Sequence, residues 1–250
     1  MISFNKEQIF IVTGASSGIG ERTALLLNEL GATVVGIARN EERLNAMKAK
    51  CKYPENMHLE IKDLTENIEN LPQFVKDLKN KYGKFQGLAH CAGIVDITPL
   101  QNMDYLHLRK VFDINYFVPI MLIKAFCDRR INTRDNAAIV SISSLATKSC
   151  EKGMLAYAGS KSALTASSRS IAKEVARSGV RINTVSPSHI DTNMTNSLEH
   201  IRKDYLETYR DIYPLGYGEP KDVSNVIVFL LSSEAKWLTA QDYVIDCGVM

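Results

Sequence analysis

The chain has 250 residues, of which 45% are hydrophobic and 23% are charged, and its formal net charge is +2. A chain of this length can bury a core without disulfide or metal cross-links, and the composition excludes disordered and fibrous proteins. With 30 basic residues against 28 acidic ones, the charge balance gives no indication of a nucleic-acid partner.

Short apolar runs alternate with helical patterns from one end of the chain to the other. The predicted strands are 9–12, 33–38, 57–61, 88–92, 138–142, 181–185 and 243–245. The predicted helices are 23–30, 41–49, 71–79, 106–126, 163–176 and 223–231. This alternation predicts right-handed βαβ crossovers and a mostly parallel sheet with helices on both faces. We expect one domain over 1–250, since no linker or repeat interrupts the pattern.

A glycine-rich segment, Thr13-Gly14-Ala15-Ser16-Ser17-Gly18-Ile19-Gly20, follows the first predicted strand. Glycines between a strand and a helix allow the backbone to approach a pyrophosphate, which the amides at the start of the helix can bind. A simple turn would explain the same glycines. The position between the first strand and the first helix favours a dinucleotide site.

The second predicted strand ends at Ala38-Arg39. A site for NAD carries Asp or Glu near this point to bind the ribose 2′-hydroxyl, whereas an Arg accommodates a 2′-phosphate. Arg39 therefore favours NADP(H), with Arg43 as a possible helper and NAD(H) as the alternative. A solvated arginine at a strand end is the plainer explanation.

The helix predicted at 106–126 is apolar, yet it contains Asn115 and, four residues later, Pro119. Proline has no amide to donate, and its ring crowds the carbonyl of Asn115. We expect a kink that leaves this carbonyl able to hold a water, which could start a proton path through Lys161. A harmless kink around a buried Asn is the alternative.

Tyr157 and Lys161 lie four residues apart in a helical pattern, so they share one helix face. A nearby ammonium lowers the pKa of a phenol, and this makes Tyr157 a candidate general acid or base. Such a pair is common by chance, so it indicates a catalytic site only together with a further residue. That residue is Ser144, which follows the strand at 138–142 at the carboxyl edge of the sheet, where open α/β sheets bind ligands.

The long segment after residue 187 breaks the strand–helix rhythm and predicts a substrate loop at about 188–213. The five cysteines form no Cys-x-x-Cys pair, so reduced thiols are expected and no metal site is predicted. The first residues lack a signal-peptide pattern, and the longest apolar run, 226–231, is too short to span a bilayer. We expect a cytoplasmic protein with no membrane partner.

Together these motifs resemble the short-chain dehydrogenase/reductase family over nearly the whole chain. The resemblance extends to Asp63-Leu64, to Pro187-x-x-Ile190-x-Thr192, to the run from Gly218 to Asp222 and to the residues from Gln241 to Asp246. It implies a Rossmann-type, doubly wound, seven-stranded parallel sheet. It also implies a catalytic tetrad of Asn115, Ser144, Tyr157 and Lys161.

The resemblance also assigns cofactor contacts. Asp63 would contact the adenine, Ile190 and Thr192 the nicotinamide carboxamide, and Lys161 the nicotinamide ribose. The expected cofactor-binding residues are Gly14, Ser16, Ser17, Gly18, Ile19, Gly20, Arg39, Asp63, Leu64, Ala92, Gly93, Tyr157, Lys161, Pro187, Ile190 and Thr192.

Three positions depart from the family pattern. His90-Cys91 stands where Asn-Asn is usual, which removes the second Asn side chain but leaves the backbone of Ala92 and Gly93. Ser188 stands where glycine follows the proline, and Cys247 replaces the glycine after Asp246. A loop His189 could touch the substrate, although such a residue is more often only solvated.

These observations predict an NADP(H)-dependent oxidoreductase that interconverts a ketone and a secondary alcohol. The general resemblance is to 3-oxoacyl-[acyl-carrier-protein] reductases, and a basic stripe of Arg169, Lys173 and Arg177 would suit an acidic carrier protein. A solvated helix face is an equal explanation of the stripe. The alternatives are a reductase of a sugar, steroid or other small ketone and, less favoured, a non-catalytic cofactor-binding sensor. The family is usually a dimer or tetramer that pairs the helices of Asn115 and Tyr157, so the resemblance implies a homo-oligomer, either a homotetramer or a dimer.

Overall fold

The computed structural model of the protein describes residues 1–192 and 212–250. Within these residues the strands form one parallel sheet of seven, in the order β3-β2-β1-β4-β5-β6-β7. The strands are β1 Ile9–Thr13, β2 Thr33–Ala38, β3 Met57–Ile61, β4 Phe85–His90, β5 Ala137–Ile142, β6 Val180–Pro187 and β7 Asp242–Ile245. This topology confirms the predicted Rossmann-type fold. Because the strand order reverses between β1 and β4, a crevice is expected at their carboxyl ends.

The helices lie in two layers against the sheet. They are α1 Gly18–Glu29, α2 Glu41–Lys48, α3 Leu71–Tyr82, α4 Tyr105–Phe112, α5 Val118–Phe126, α6 Ala146–Ser149, α7 Leu155–Val175 and α8 Pro220–Leu231. On one face Leu27 of α1 and Ile227 of α8 belong to a single apolar core. On the other, Val75 of α3, Leu122 of α5 and Leu164 of α7 form a second core. Since both faces are covered, the strands read as nearly continuous apolar runs.

The fourth strand differs from the prediction at both of its ends. It spans Phe85–His90 rather than 88–92. Cys91 and Ala92 leave the sheet because their amides donate to Thr13 Oγ1, each at 3.2 Å, instead of continuing the ladder. The apolar pattern cannot show this side-chain contact, which lies between segments far apart in the sequence.

Three helices begin at least three residues earlier than their apolar spacing predicts, and the first of them, α1, begins at Gly18 rather than at residue 23. The helix predicted from residue 163 begins at Leu155, because its first two turns bury small and polar residues that carry no apolar periodicity. The helix predicted from residue 223 begins at Pro220, where the Glu219 amide donates to Asp222 Oδ2 at 2.7 Å. That contact is half of a capping box, which stabilises a helix start.

The helix predicted over 106–126 is interrupted as expected. A π-helical turn, Asp113–Phe117, separates α4 from α5. Pro119 follows this turn, so the missing amide of the proline coincides with the local change of pitch. Asn115 lies inside the π turn and is fully buried.

The predicted substrate loop is described only at its two ends, since 193–211 lie outside the described residues. All five cysteines lie in the described part of the chain, and each is a free thiol. Among the helices of residues 1–192 and 212–250, none is long and apolar enough to cross a membrane.

Candidate active site

The turn after β1 brings the start of α1 close to the end of the strand. Gly14 and Gly18 have left-handed backbones, with φ of 68° and 56°. A Cβ atom added at Gly20 would lie 2.2 Å from the carbonyl oxygen of Gly14. Only glycine therefore lets α1 begin so close to the turn. The first amides of such a helix have no partner within the helix and can bind phosphate.

A cavity of about 190 Å³, here called the inner cavity, opens at this turn. Predicted cofactor-binding residues that line it are Gly14, Ser17, Gly18, Ile19, Gly20, Ala92, Gly93, Tyr157, Lys161, Pro187, Ile190 and Thr192. Residues that sequence reasoning missed here are Cys91, Ile94, Ile142, Ser143 and Ser188. All but Ile142 adjoin a predicted residue in the chain, and Ile142 ends the predicted strand two residues before Ser144. Cys91 and Ser188 were also visible in the sequence as departures from the family pattern.

Four predicted cofactor residues lie outside the inner cavity. Arg39 and Asp63 follow β2 and β3, and the Arg39 Nη1 atom donates to Asp63 Oδ2 at 3.2 Å. Burial alone would raise the pKa of Asp63, but hydrogen bonds from Thr65 and Arg39 outweigh it and lower that pKa. The Leu64 side chain is buried in the core, and Ser16 does not line the cavity.

Lys161 is a buried ammonium at the floor of the inner cavity. Its residue exposure is 3%, and Nζ donates to the carbonyl oxygen of Ile142 at 2.7 Å. Burial lowers the pKa of Lys161 to about 8, since a charge in a poorly solvated site is disfavoured. The side chain is therefore charged at neutral pH and neutral in mild alkali.

Tyr157 is held on the same face of α7, one turn before Lys161. Burial raises the pKa of Tyr157 above its usual value, and a hydrogen bond with Ser144 partly offsets this rise. The expected lowering of this pKa by Lys161 is not among its causes in the structure, where burial is the larger effect. Tyr157 thus keeps its proton at neutral pH, as a general acid requires.

Asn115 ties the π turn to the loop after β4. Its Oδ1 atom accepts from the Ile94 amide at 3.0 Å, and its Nδ2 atom donates to the Ile94 carbonyl at 2.9 Å. Nδ2 also donates to Ser160 Oγ at 3.2 Å. The predicted water on the Asn115 carbonyl stays a prediction. The side-chain role in anchoring Ile94 was not predicted.

Gly93 lies where the predicted tetrad residues converge. A Cβ atom at this position would lie 3.0 Å from Asn115 Oδ1 and 3.4 Å from Lys161 Nζ. The side chains of Asn115 and Lys161 therefore both approach the backbone of Gly93. The structure brings these two residues together although they come from different helices.

His90, one of the departures from the family pattern, supports this loop from inside the sheet. It is fully buried, and its Nδ1 atom lies 2.9 Å from Thr13 Oγ1. Because that hydroxyl accepts from the amides of Cys91 and Ala92, its own proton must be donated to His90 Nδ1. Burial, together with the charge of Lys161, lowers the pKa of His90 to about 3. The imidazole is therefore neutral, and it links the β1 turn to the loop after β4.

A second cavity of about 320 Å³, here called the outer cavity, adjoins the first. Both are lined by Ser144, Tyr157, Pro187 and Ser188. The outer cavity is otherwise lined by Val95, Leu145, Ala146, Ser149, Glu151, Met154, His189, Ile212, Tyr213, Tyr217, Val249 and Met250. Ser144 and Tyr157 therefore lie at the junction of the two cavities, where a molecule bound in one cavity can contact a molecule bound in the other. Of these lining residues the sequence indicated His189 alone, together with the position of the loop.

The basic stripe is exposed on α7 and on the turn after it. Arg169, Lys173 and Arg177 are all exposed. They lie two to four turns beyond Lys161, so the stripe begins about 12 Å along the helix axis from the buried ammonium and leads away from it.

The sequence model of a protein family described as "Enoyl-(Acyl carrier protein) reductase" matches residues 14–250. The chain is 32% identical over 241 residues to the 3-oxoacyl-[acyl-carrier-protein] reductase FabG of Rickettsia conorii, covering 96% of this chain and 95% of the relative. It is 30% identical over 253 residues to the FabG of Thermotoga maritima, covering 97% and 98%.

Solved structures give the same answer for the fold. A short-chain type dehydrogenase/reductase from Mycobacterium ulcerans superposes with a TM-score of 0.89 at 28% identity, covering 99% of this chain and 91% of its own. A short-chain dehydrogenase/reductase from Brucella melitensis, titled glucose/ribitol dehydrogenase, superposes with a TM-score of 0.91 at 26% identity, covering 100% and 99%.

Proposed function

Because the chain belongs to the short-chain dehydrogenase/reductase family and is an oxidoreductase acting on ketones and secondary alcohols, we propose that it reduces the ketone of a 3-oxoacyl chain held on an acyl carrier protein. The relatives from Rickettsia conorii and Thermotoga maritima, both 3-oxoacyl-[acyl-carrier-protein] reductases, support this substrate class. The alternative within the same chemistry is a sugar, steroid or other small ketone. The relative titled glucose/ribitol dehydrogenase keeps that alternative open.

The observation that carries the proposal is the position of Ser144 and Tyr157 at the junction of the two cavities. A ketone oxygen placed there accepts a hydrogen bond from Ser144 and a proton from Tyr157. Lys161, one turn away and charged at neutral pH, is proposed to stabilise the phenolate when cofactor and ketone are bound, an effect that is not among the causes of the Tyr157 pKa described above. A sensor without catalytic activity would have no use for all of these groups, so we rank that alternative last.

The inner cavity fits a nicotinamide dinucleotide. At Gly14 and Gly20, which line it, an added Cβ would collide with neighbouring backbone, so both positions need glycine for the tight strand-to-helix turn that a dinucleotide site uses. When bound, this cofactor supplies the hydride. The remaining predicted contacts divide by position: Ile190, Thr192 and Lys161 line the cavity, whereas Asp63 lies beyond it beside Arg39.

NADP(H) is proposed as the preferred cofactor, with NAD(H) as the alternative. Arg39 follows the last residue of β2, and its side chain is 72% exposed, so its guanidinium can reach a 2′-phosphate. Asp63 accepts one of the Arg39 donors, and the other guanidinium donors can serve a phosphate.

Carrier docking on Arg169, Lys173 and Arg177 is part of the proposal. These residues are exposed and share one side of α7, as an acidic carrier surface requires. If charge reversal at Arg169 and Lys173 leaves turnover of carrier-linked substrate unchanged, the docking role is wrong.

We also propose that the protein forms a homo-oligomer, a tetramer or a dimer, in the cytoplasm. Four large apolar side chains on or next to the helices of Asn115 and Tyr157 are strongly exposed in one chain, namely Tyr105, Leu106, Phe117 and Leu155. Exposed apolar side chains on neighbouring helices are typical of an interface. The molecular mass in solution tests this part of the proposal.

The function is tested by Tyr157→Phe. We expect turnover to fall by about a thousandfold or more, since a general acid is removed, while the Kd for NADPH stays within a few-fold of wild type. The assay follows NADPH oxidation with a 3-oxoacyl thioester, a small cyclic ketone, a ketose and an enoyl thioester. Full activity in the variant would contradict the assignment, and wild-type turnover of the enoyl thioester alone would contradict ketone reduction.

A further inference from the structure

Ser188 is a hydroxyl at the junction of the two cavities that the predicted chemistry does not use. It follows Pro187, the last residue of β6, and lines both cavities together with Ser144 and Tyr157. Its amide donates to the Ile245 carbonyl at 2.9 Å, which fixes its backbone to β7. The side chain therefore projects from a rigid point beside the reacting groups.

The Ser188 hydroxyl is paired with a second one. Its Oγ atom lies 2.7 Å from the hydroxyl oxygen of Tyr213. One proton is enough to form this bond, and the pair carries two. When Tyr213 donates to Ser188, the Ser188 proton is available to a third oxygen. Such a donor next to Tyr157 is a place for an acceptor atom of the substrate.

Contacts around Tyr213 hold the pair in position. Tyr213 is 7% exposed, and its ring lies 5.4 Å from that of Tyr217, which in turn lies 4.7 Å from the ring of His189. Two residues further on, the Leu215 amide donates to Cys247 Sγ. The segment that carries Tyr213 is thus attached to β6 through Ser188 and to the end of β7 through Cys247. Both attachments use residues that depart from the family pattern.

The ligand that fits such a pair is neutral. Among the described residues that line the outer cavity there is no lysine or arginine, and Glu151 is the one carboxylate side chain. From these described residues a carboxylate or phosphate on the substrate would receive no positive charge. A carbonyl oxygen is an acceptor without charge, and one near the ketone is what a hydroxyl donor at the junction can reach.

We infer that Ser188, oriented by Tyr213, is a specificity-determining residue that binds a second carbonyl oxygen of the substrate, on the carbon two positions from the ketone carbon. This inference rests on the proposed function, because a 3-oxoacyl thioester or ester carries such an oxygen. Ser144 and Tyr157 hold the ketone that is reduced, and Ser188 holds the carbonyl that is not. Simple ketones lack this second contact.

The test compares two neutral substrates of equal chain length, ethyl 3-oxobutanoate and heptan-2-one, with NADPH. We expect the wild-type protein to prefer the ester. In Ser188→Ala, kcat/KM for the ester should fall about fivefold to tenfold, as one neutral hydrogen bond allows, while kcat/KM for heptan-2-one stays within twofold. Tyr213→Phe should give a smaller loss for the ester, and the double variant should be no worse than Ser188→Ala alone.

Ser170→Ala is the matched control, because Ser170 is an exposed serine on α7 that lines neither the inner nor the outer cavity. Its preference for the ester should equal that of wild type. An unchanged preference in Ser188→Ala, or an equal loss for both substrates, would overturn the inference. Wild-type protein that reduces neither substrate would contradict the proposed function and, with it, this inference.

Discussion

The inner and outer cavities meet at the same four residues but are built in different ways. The inner cavity is lined largely by residues at the ends of β1, β4 and β5, and glycines among them allow close approach. The outer cavity is lined largely by residues of α6, of the two ends of the long loop and of the segment after β7. Backbone at a sheet edge binds what all members of a fold share, whereas side chains on irregular segments can change one at a time. We therefore expect single substitutions in the inner cavity to impair cofactor binding as a whole, and single substitutions in the outer cavity to change the preference among substrates.

Gly20→Ala should break the inner cavity with the largest effect. The new Cβ would lie 2.2 Å from the Gly14 carbonyl oxygen, so α1 must shift away from the turn. We expect the Kd for NADPH to rise about 100-fold, the loss that an ångström-scale misplacement can cause. Fluorescence titration measures it. Gly159→Ala is the control, since its Cβ would make ordinary contact with Phe112, at 3.7 Å. Normal NADPH binding by Gly20→Ala would show that the turn tolerates a side chain.

His90→Asn tests the contribution of His90, which links the β1 turn to the loop after β4, to the stability of the fold. His90 has a pKa lowered to about 3 in the fold, against 6.5 for an ordinary histidine. Between these values the unfolded chain takes up a proton that the folded chain does not, so the stability of the folded state falls as the pH falls. At pH 5 the loss attributable to His90 is about 2 kcal/mol relative to pH above 7.

The variant lacks this titration. We expect its midpoint of thermal unfolding to decline less steeply than that of wild type between pH 7 and 4.5. Calorimetry over this pH range measures the midpoint for both proteins. The difference between their midpoints at pH 7.5, where His90 is neutral in both the folded and the unfolded state, is the internal control. If the unfolding midpoints of the two proteins decline in parallel as the pH falls, the buried imidazole of His90 has no part in the loss of stability in acid.

The junction itself is tested by the pH dependence of reduction. Lys161 has a pKa lowered to about 8, and Tyr157 has a raised pKa, so above pH 8 the ammonium is lost while the phenol keeps its proton. We expect kcat/KM for ketone reduction to be level from pH 6 to 7.5 and then to fall by up to about tenfold per pH unit. Lys161→Arg should be slower but level to higher pH, because arginine keeps its charge. A wild-type rate that stays constant to pH 10 would exclude a role for the Lys161 charge.

Arg39→Ala should have the smallest effect of these substitutions on cofactor use, since Arg39 lies outside the inner cavity. Removing an exposed charge that binds a 2′-phosphate should lower the preference for NADPH over NADH about fivefold. The ratio of kcat/KM values for the two cofactors measures this. Arg43→Ala, one helical turn further on, should change the ratio less. An unaltered ratio in Arg39→Ala would remove the basis for the proposed NADP(H) preference.

The same contrast explains what could be predicted from the sequence. The strands and the glycine turn follow from local periodicity and backbone geometry, and so do most residues of the inner cavity. Ser144, Tyr157 and Lys161 could be placed because each stands at a known distance from a predicted strand or helix. Tyr213, Tyr217 and Met250 could not be placed, because their positions depend on long-range packing around Ser188 and Cys247 that no local pattern encodes.

His90 shows the same limit inside the core. Its side chain was expected only as a departure at the end of a strand, and the neighbouring Cys91 and Ala92 were assigned to that strand. Their pairing with Thr13 depends on the register of β4 against β1. Such a register joins residues far apart in the chain, and a single sequence gives no measure of it.

The π turn at Asp113–Phe117 limits where residues can be inserted into or deleted from this chain. Asn115 contacts the Ile94 backbone through two atoms of one rigid amide, Oδ1 and Nδ2, so the rotation of the helix at that point is set. Deleting one residue between Tyr105 and Asn115 would turn the amide by about 100° and move it about 1.5 Å along the axis. Point substitutions on the exposed side of α4 leave that angle alone. We therefore expect insertions and deletions to be tolerated in the loop before α4 but not within the helix that leads to Asn115.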